Sequence, residues 1–230
     1  MTYEHLFFDL DHTLWDFRAN SQQTLRELHA ELGLHAHGVE DVEALITVYE
    51  EVNRGLWRRY EAGHLSKDVL RILRFRNTLL QFGVRNDALA SRMGDAYLEQ
   101  CPRKPGLFPG AAEVLAELGT RYRLHIITNG FHSVQQVKLH TSGIRDHFTV
   151  VLSSEQAGAS KPDGRIFAQA LKLSGARAAT SLMIGDDRET DMRGARNAGW
   201  DHVHFAAETE PDPLATHRIG RLEELRALLL

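Results

Sequence analysis

The sequence contains a single cysteine, Cys101, in 230 residues, so a disulfide within one chain is impossible. It also lacks an uninterrupted apolar run of about 20 residues, the length that a membrane-spanning helix needs. Its 27 basic and 31 acidic residues give a net charge of −4, which is not typical of nucleic-acid-binding domains. The polar first residues do not resemble a signal peptide. We therefore expect a cytoplasmic protein with neither a nucleic acid nor a membrane as its partner.

What the sequence does contain falls into two kinds of pattern. Residues 4–9 form a short apolar stretch of the kind found in buried strands, whereas apolar residues recur at helical spacing from about 20 to 100. A stretch rich in proline and glycine follows at 101–110. Beyond it, strand-like and helical segments alternate, which is typical of a parallel sheet covered by helices.

This alternation predicts an α/β protein with a Rossmann-like parallel sheet and an inserted all-helical domain. We assign residues 1–16 and 105–230 to the Rossmann-like core, and residues 17–104 to the helical insertion, or cap. Open α/β sheets bind their ligands at the carboxyl ends of the strands. We therefore expect a small-molecule site at that edge of the sheet.

Polar residues follow each of four predicted strands. Because the carboxyl ends of parallel strands meet at one edge of the sheet, we expect these residues to lie close together. Two neighbouring carboxylates beside an apolar strand would repel each other unless a cation compensated their charge. The residues are Asp9 and Asp11 after the first strand, Thr128 and Asn129 after the second, Lys161 after the third, and Asp186, Asp187 and Asp191 after the fourth.

These residue types suit metal-assisted phosphoryl transfer. Carboxylates such as those of Asp9 and Asp186 are the oxygen ligands that Mg²⁺ prefers, while Lys161 and Thr128 are suited to holding phosphoryl oxygens. A carboxylate in line with phosphorus could attack it and form an aspartyl-phosphate. A second aspartate two residues further on, Asp11, could protonate the leaving alcohol and later activate water.

Four segments together resemble the motifs of the haloacid dehalogenase-like (HAD) hydrolase superfamily. They are "DLDHTL", "ITNG", "SKP" and "GDDRETD", and they occur in the order found in that superfamily. The helical insertion after the first of them matches members that carry a type-one helical cap. The resemblance covers essentially the whole chain and implies a Rossmann-like core.

The resemblance also implies a role for each residue of the site. Asp9 would be the nucleophile and Asp11 the general acid and base, and Mg²⁺ would be the cofactor. The metal ligands would be Asp9, Asp11 through its backbone carbonyl, and Asp186. The phosphoryl group would be bound by Thr128, Asn129 and Lys161. Asp191 would orient Lys161 or a metal-bound water. Asp187 would either bind the metal or cap the next helix.

The acid at position 11 favours a phosphomonoesterase or a phosphomutase over the dehalogenating members. The segments "NRGLWRRYEAGHLS" and "ITNGFHSVQQVKL" resemble the bacterial pyrimidine 5′-nucleotidase branch, which implies a nucleoside monophosphate as substrate. Trp57 and Tyr60 lie three residues apart on one helix face, where they either stack on a base or belong to the core of the cap. Two alternatives stay open: a phosphatase or mutase for a sugar phosphate or phosphoglycolate, and a non-catalytic relative that binds a phosphorylated ligand.

Overall fold

A computed structural model of the chain describes residues 3–207 and 210–230, so residues 1, 2, 208 and 209 of the predicted core lie outside the described residues. The chain divides into two compact units. One, the core unit, comprises the chain up to Phe17 together with Pro105–Leu230, and the other, the helical unit, is Arg18–Lys104. Among the described residues, no helix has the length and apolar character needed to cross a membrane.

The described part of the core unit contains a six-stranded sheet in the order β3-β2-β1-β4-β5-β6, with every neighbouring pair parallel. This is the doubly wound order of Rossmann folds, whose direction of winding reverses between β1 and β4. The prediction of an α/β protein with a Rossmann-like sheet is confirmed. The strands are β1 (His5–Phe8), β2 (Arg123–Thr128), β3 (Phe148–Ser153), β4 (Ser181–Gly185), β5 (Asp201–Phe205) and β6 (His217–Ile219).

The helical unit is built from four helices, and three of them begin with an ordinary side-chain cap. Side-chain oxygens of Asp41, Ser66 and Asn86 accept hydrogen bonds from the first free backbone N–H groups of the second, third and fourth helix. Glycines interrupt the helical pattern between them. The helices are α1 (Phe17–Glu31), α2 (Val42–Glu61), α3 (Lys67–Gln81) and α4 (Asp87–Gln100).

Aromatic rings form the centre of the helical unit. Tyr49 of α2, Phe75 of α3 and Tyr97 of α4 pack with ring centroids 5.2–5.4 Å apart. The guanidinium carbon of Arg74 lies 4.9–6.0 Å from all three centroids, and the residue is only 4% exposed. Its Nε and Nη2 have no hydrogen-bond acceptor in the part of the chain that the structure describes. Among the described residues, the contacts that position the Arg74 cation are therefore mainly those with the ring faces.

Helices on the core unit cover the sheet, and the side chains of four strands meet them on one face. Alternate side chains of these strands point into a buried apolar cluster that includes Phe167. They are Phe7, Ile127, Leu152 and Met183. The strand β6 was not predicted, because three residues are too few to show an alternating pattern. The helices are α5 (Ala111–Leu118), α6 (His132–Thr141), α7 (Ser154–Ala157), α8 (Gly164–Ser174), α9 (Arg193–Asn197) and α10 (Glu224–Leu229).

Candidate active site

The central strand β1 runs directly into the first pair of aspartates. The backbone N–H of Asp9 still donates to the Ile184 carbonyl of β4, at 2.9 Å, so this residue is held at the strand end. The chain then coils tightly, because the Leu10 carbonyl accepts hydrogen bonds from Leu14 and Trp15. His12 within this coil has φ +64°, a left-handed conformation that is uncommon outside glycine. The coil separates Asp11 from Asp9 although only one residue lies between them.

Three carboxylates meet at the carboxyl ends of β1 and β4. Oxygens of Asp9, Asp186 and Asp191 lie within 4.8 Å of one another, and Asp9 and Asp191 are buried. The two strands are neighbours at the point where the winding of the sheet reverses. Oxygen ligands at this spacing suit a hard divalent cation. The Asp11 carboxylate, which was predicted beside them, is not part of this group.

Lys161 lies among these carboxylates with all three of its N–H groups engaged. Its Nζ donates to Asp9 Oδ1 and Asp191 Oδ1, each at 2.6 Å, and to the Ile127 carbonyl at 2.9 Å. The ammonium group has no fourth donor. A phosphoryl group at this site would therefore meet the positive charge of Lys161 rather than a free N–H.

Burial and mutual repulsion decide the ionisation of this cluster. Burial raises the pKa of Asp9 to about 7, with Asp191 adding to the rise and Lys161 opposing it. Burial and the charges of Asp191 and Asp9 raise the pKa of Asp186 well above its usual range. Burial also works against the charge of Lys161, but the two carboxylates outweigh it and raise the pKa of the ammonium. A divalent cation would offset the remaining negative charge, so the donor set fits one.

The Asp186 side of the cluster is fixed by Thr13, which follows the first strand together with Asp9 and Asp11, and by His204, which the sequence did not assign to the site. Thr13 Oγ1 donates to Asp186 Oδ1 at 3.0 Å. The His204 ring, fully buried, accepts from the Asp212 N–H at Nδ1, so its Nε2 carries the proton and donates to the Asp186 carbonyl at 2.8 Å. Asp186 is thus held by its side chain and its backbone.

The residues after Asp186 have separate tasks. Asp187 Oδ1 accepts from the N–H groups of Glu189 and Thr190, each at 2.8 Å, so it caps the π-helical turn Arg188–Met192. Asp191 returns to β4, where any side chain at Gly185 would overlap its carboxylate. Glycine is therefore required at position 185 by the close approach of Asp191, not by its own φ.

The "ITNG" segment shapes the site through its side chains. Thr128 Oγ1, buried, accepts from Gly130 N–H at 3.1 Å and from Gln135 Nε2 at 2.8 Å. Asn129 was predicted to bind the phosphoryl group, but its Oδ1 accepts from Lys161 N–H at 2.8 Å and its Nδ2 donates to the Lys161 carbonyl at 3.1 Å. The side chain of Asn129 therefore holds the backbone of Lys161 in place.

Asp11 has two partners on α6 that sequence reasoning missed. Lys138 Nζ donates to Asp11 Oδ1 at 2.5 Å, and Gln135 Nε2 donates to Asp11 Oδ2 at 2.8 Å. Both residues are buried. Their spacing of three along a helix that follows "ITNG" was a signal that they face the same way. Polar residues on a helix are usually solvated, so that signal did not stand out.

The aromatic pair predicted in the cap is formed within the helical unit. The rings of Trp57 and Tyr60 on α2 lie edge to face, with centroids 5.4 Å apart. Both residues are half-buried, so neither belongs to the fully enclosed centre around Tyr49.

Comparison with known proteins identifies the family to which the chain belongs. The family model of the haloacid dehalogenase-like hydrolases matches residues 3–199. The chain belongs to this family. The predicted resemblance is confirmed, and with it the prediction that the protein is an enzyme.

Two curated relatives of this HAD-like hydrolase match over almost their entire length. Pyrimidine 5′-nucleotidase YjjG of Escherichia coli K12 is 32% identical over 235 residues, which are 100% of this chain and 99% of that protein. Pyrimidine 5′-nucleotidase PynA of Streptococcus pneumoniae is 33% identical over 232 residues, which are 98% and 94% of the two chains.

Solved structures share the fold of this HAD-like hydrolase. The HAD-hydrolase YfnB of Bacillus subtilis, solved with bound magnesium, matches with a TM-score of 0.90 and 28% identity, covering 100% of this chain and 99% of its own. The L-2-haloacid dehalogenase of Xanthobacter autotrophicus matches with a TM-score of 0.74 and 21% identity over 99% and 98% of the chains, which shows a common fold alone.

Proposed function

We propose that this HAD-like hydrolase is a Mg²⁺-dependent phosphomonoesterase that acts through an aspartyl-phosphate and hydrolyses pyrimidine nucleoside 5′-monophosphates. One observation carries the proposal. A buried carboxylate, Asp9, lies against a buried ammonium, Lys161, and two further carboxylates, while a second acid, Asp11, stands apart from that cluster. This arrangement separates a nucleophile from a proton donor.

The metal site of the proposal uses Asp9 and Asp186, with Asp191 adjoining them. By resemblance to the family, the backbone carbonyl of Asp11 completes the protein ligands. When bound, Mg²⁺ supplies positive charge that offsets the carboxylates and the phosphoryl oxygens. The magnesium bound to the YfnB relative agrees with this choice of ion.

In the first half-reaction, a carboxylate oxygen of Asp9 attacks phosphorus, and the bond from phosphorus to the ester oxygen breaks. Asp11 gives its proton to that departing oxygen, so the alcohol leaves neutral. Thr128 and the charge of Lys161 hold the phosphoryl oxygens during transfer. The product on the protein is an aspartyl-phosphate at Asp9.

In the second half-reaction, Asp11 takes a proton from a water molecule, which attacks the same phosphorus. The acyl phosphate bond to Asp9 breaks, and inorganic phosphate leaves. Asp9 is again a carboxylate and Asp11 again carries a proton, so the cycle is closed. Asp191 and Asn129 serve by keeping Lys161 in place.

The substrate class in the proposal comes from the relatives and from the helical unit. Both full-length relatives are named as pyrimidine 5′-nucleotidases. We propose that residues 17–104 act as the cap that selects the leaving group, and that Trp57 and Tyr60 stack on the base. The cytoplasmic location expected from the sequence stays a prediction.

The test is a panel of phosphate monoesters ranked by kcat/KM, with MgCl₂ and with excess EDTA. The panel contains the pyrimidine and purine nucleoside 5′-monophosphates, sugar phosphates, phosphoglycolate and p-nitrophenyl phosphate. We expect the pyrimidine nucleotides to rank first and EDTA to abolish every activity. A sugar phosphate or phosphoglycolate in first place would replace the nucleotidase assignment, and full activity in EDTA would overturn the site as a whole.

A further inference from the structure

The carboxylate of Asp11 is held at both of its oxygens by one helix. Lys138 Nζ donates to Oδ1 at 2.5 Å, and Gln135 Nε2 donates to Oδ2 at 2.8 Å. The two donors are three residues apart on α6 and so lie on the same face. Because each oxygen has its own donor, both the position and the plane of the carboxylate are determined.

Gln135 joins Asp11 to the "ITNG" segment. Its Nε2 donates to Thr128 Oγ1 at 2.8 Å as well as to Asp11. The residue is fully buried, and any side chain at Gly130 would overlap its amide group. The proton donor and the phosphoryl-binding threonine of the proposed mechanism are thus tied to the same amide nitrogen.

Lys138 has little freedom to move away from Asp11. It is 4% exposed, and its Nζ lies 4.4 Å from the centroid of the Trp15 ring and 5.4 Å from that of Phe17. Trp15 itself is fully buried. A buried ammonium over ring faces still needs a polar partner, and the Asp11 carboxyl group supplies it, with a full negative charge in the half of the cycle in which Asp11 has given up its proton.

We propose that Lys138 is a positioning residue for the reaction, which acts only through Asp11 by holding its carboxylate where it meets the leaving oxygen. The inference rests on the proposed function, in which Asp11 is the general acid. It assigns a task to a buried lysine that neither the phosphoryl site nor the acidic cluster uses. Gln135 supports the same orientation from the second oxygen.

The consequence is a dependence on the leaving group. An alkoxide leaves poorly without a proton, whereas p-nitrophenolate leaves without one. Displacing Asp11 should therefore slow the hydrolysis of an alkyl ester and spare that of p-nitrophenyl phosphate. A lysine that only stabilised the fold would affect both esters equally.

The experiment compares Lys138→Met with wild type, with a nucleoside 5′-monophosphate as the alkyl ester and p-nitrophenyl phosphate as the aryl ester, in saturating MgCl₂. We expect kcat to fall by about 10- to 100-fold with the nucleotide and by less than about 3-fold with the aryl ester. Lys138→Arg, which keeps the charge, should recover part of the loss. The exposed Lys172→Met on α8 is the matched control and should match wild type with both esters.

A double-mutant cycle with Asp11→Asn tests whether Lys138 acts through Asp11. In the Asp11→Asn background, Lys138→Met should add no further loss with the nucleotide. Equal losses with both esters, or losses that multiply in the double variant, would overturn the proposal. If Lys138→Met does not fold, Lys138→Gln is measured in the same way. A wild type inactive with every monoester would instead refute the proposed function, so the two failures are distinguishable.

Discussion

The two units of this protein stabilise a buried cation in different ways. In the core unit, Lys161 donates to two carboxylates and a backbone carbonyl, so every N–H has an acceptor. In the helical unit, Arg74 lies among three aromatic rings, and its Nε and Nη2 have no acceptor among the described residues. The difference shows that burial alone does not distinguish the cation of the candidate active site from a cation elsewhere in the protein. That cation is distinguished by the opposite charges around it, which come from separate segments of the chain.

The largest effect should follow from removing the negative charge of Asp9, which lies beside Lys161 and the other two carboxylates of the cluster. Asp9→Asn keeps the shape of the side chain but removes the attacking charge, so kcat should fall by about 10⁴-fold or more. Steady-state kinetics with p-nitrophenyl phosphate measure it. The exposed Asp146→Asn is the control and should retain full activity. Turnover near wild type in Asp9→Asn would remove Asp9 from the mechanism.

The comparison of the two cations can be tested directly by replacing each with methionine. Lys161→Met leaves two buried carboxylates without their partner, so the free energy of unfolding should fall by about 3–5 kcal/mol. Arg74→Met replaces a cation that has no anionic partner in the described part of the chain by an apolar side chain of similar length, so the change should stay within about 1 kcal/mol. Urea unfolding in EDTA provides both values. Similar losses in the two variants would show that the ring faces stabilise Arg74 as strongly as carboxylates stabilise Lys161.

A third buried basic group, His125 of β2, should make stability depend on pH. Burial, with the charges of His5 and Arg123, lowers the pKa of His125 from 6.5 to about 4. Its ring stacks on Phe7 and shares a 3.0 Å hydrogen bond with His5. The unfolded chain therefore binds a proton near pH 6.5 that the folded protein binds only near pH 4, and stability falls as the pH drops through this window.

The loss from His125 should reach about 3 kcal/mol, at about 1.4 kcal/mol for each unit of pKa difference. Urea unfolding between pH 4 and 7.5 measures it in wild type and in His125→Phe, which keeps a ring against Phe7. Because carboxylates also titrate at the acid end, the informative quantity is the difference between the two proteins. His35 is exposed, so the control variant His35→Gln should show the same pH dependence of stability as wild type. If His125→Phe also showed the wild-type pH dependence, His125 would not be responsible for it.

The smallest effect concerns the helical unit and the substrate. If Trp57 stacks on a pyrimidine, Trp57→Ala should cost about 1–3 kcal/mol with a nucleotide, by analogy with base stacking on aromatic side chains. We expect kcat/KM for pyrimidine monophosphates to fall by about tenfold relative to p-nitrophenyl phosphate. Circular dichroism must show an intact helical unit. A folded variant that loses both substrates equally would place the determinant of base selection elsewhere.

The sheet and the acidic cluster could be predicted because local patterns specify them. Strands of alternating or continuous apolar residues end at polar ones, and parallel strands bring those ends together, so Asp9, Lys161 and Asp186 could be grouped from sequence. The short strand β6 and the packing of Arg74 could not be predicted. Three residues carry no period, and an arginine at a helical position is normally solvated.

The partners of the site residues were harder to predict than the residues themselves. Nothing in "ITNG" indicates that the Asn129 amide binds backbone rather than substrate, because both uses need the same atoms. Lys138 and Gln135 are ordinary polar residues of α6 until the fold brings Asp11 against them. Such contacts depend on distances between distant segments, which residue type and spacing do not determine.

The position of β1 in the sheet has a consequence for synthesis on the ribosome. β1 pairs with β2 on one side and β4 on the other, and both strands follow the helical unit in the chain. The apolar stretch Leu6–Phe8 is therefore synthesised before both of its partner strands, and it cannot pair with them until the helical unit has been made. Within the helical unit, α2, α3 and α4 each pack against the next helix along the chain, so these contacts have no such delay. An apolar strand that stays unpaired during synthesis is exposed to aggregation and to chaperones.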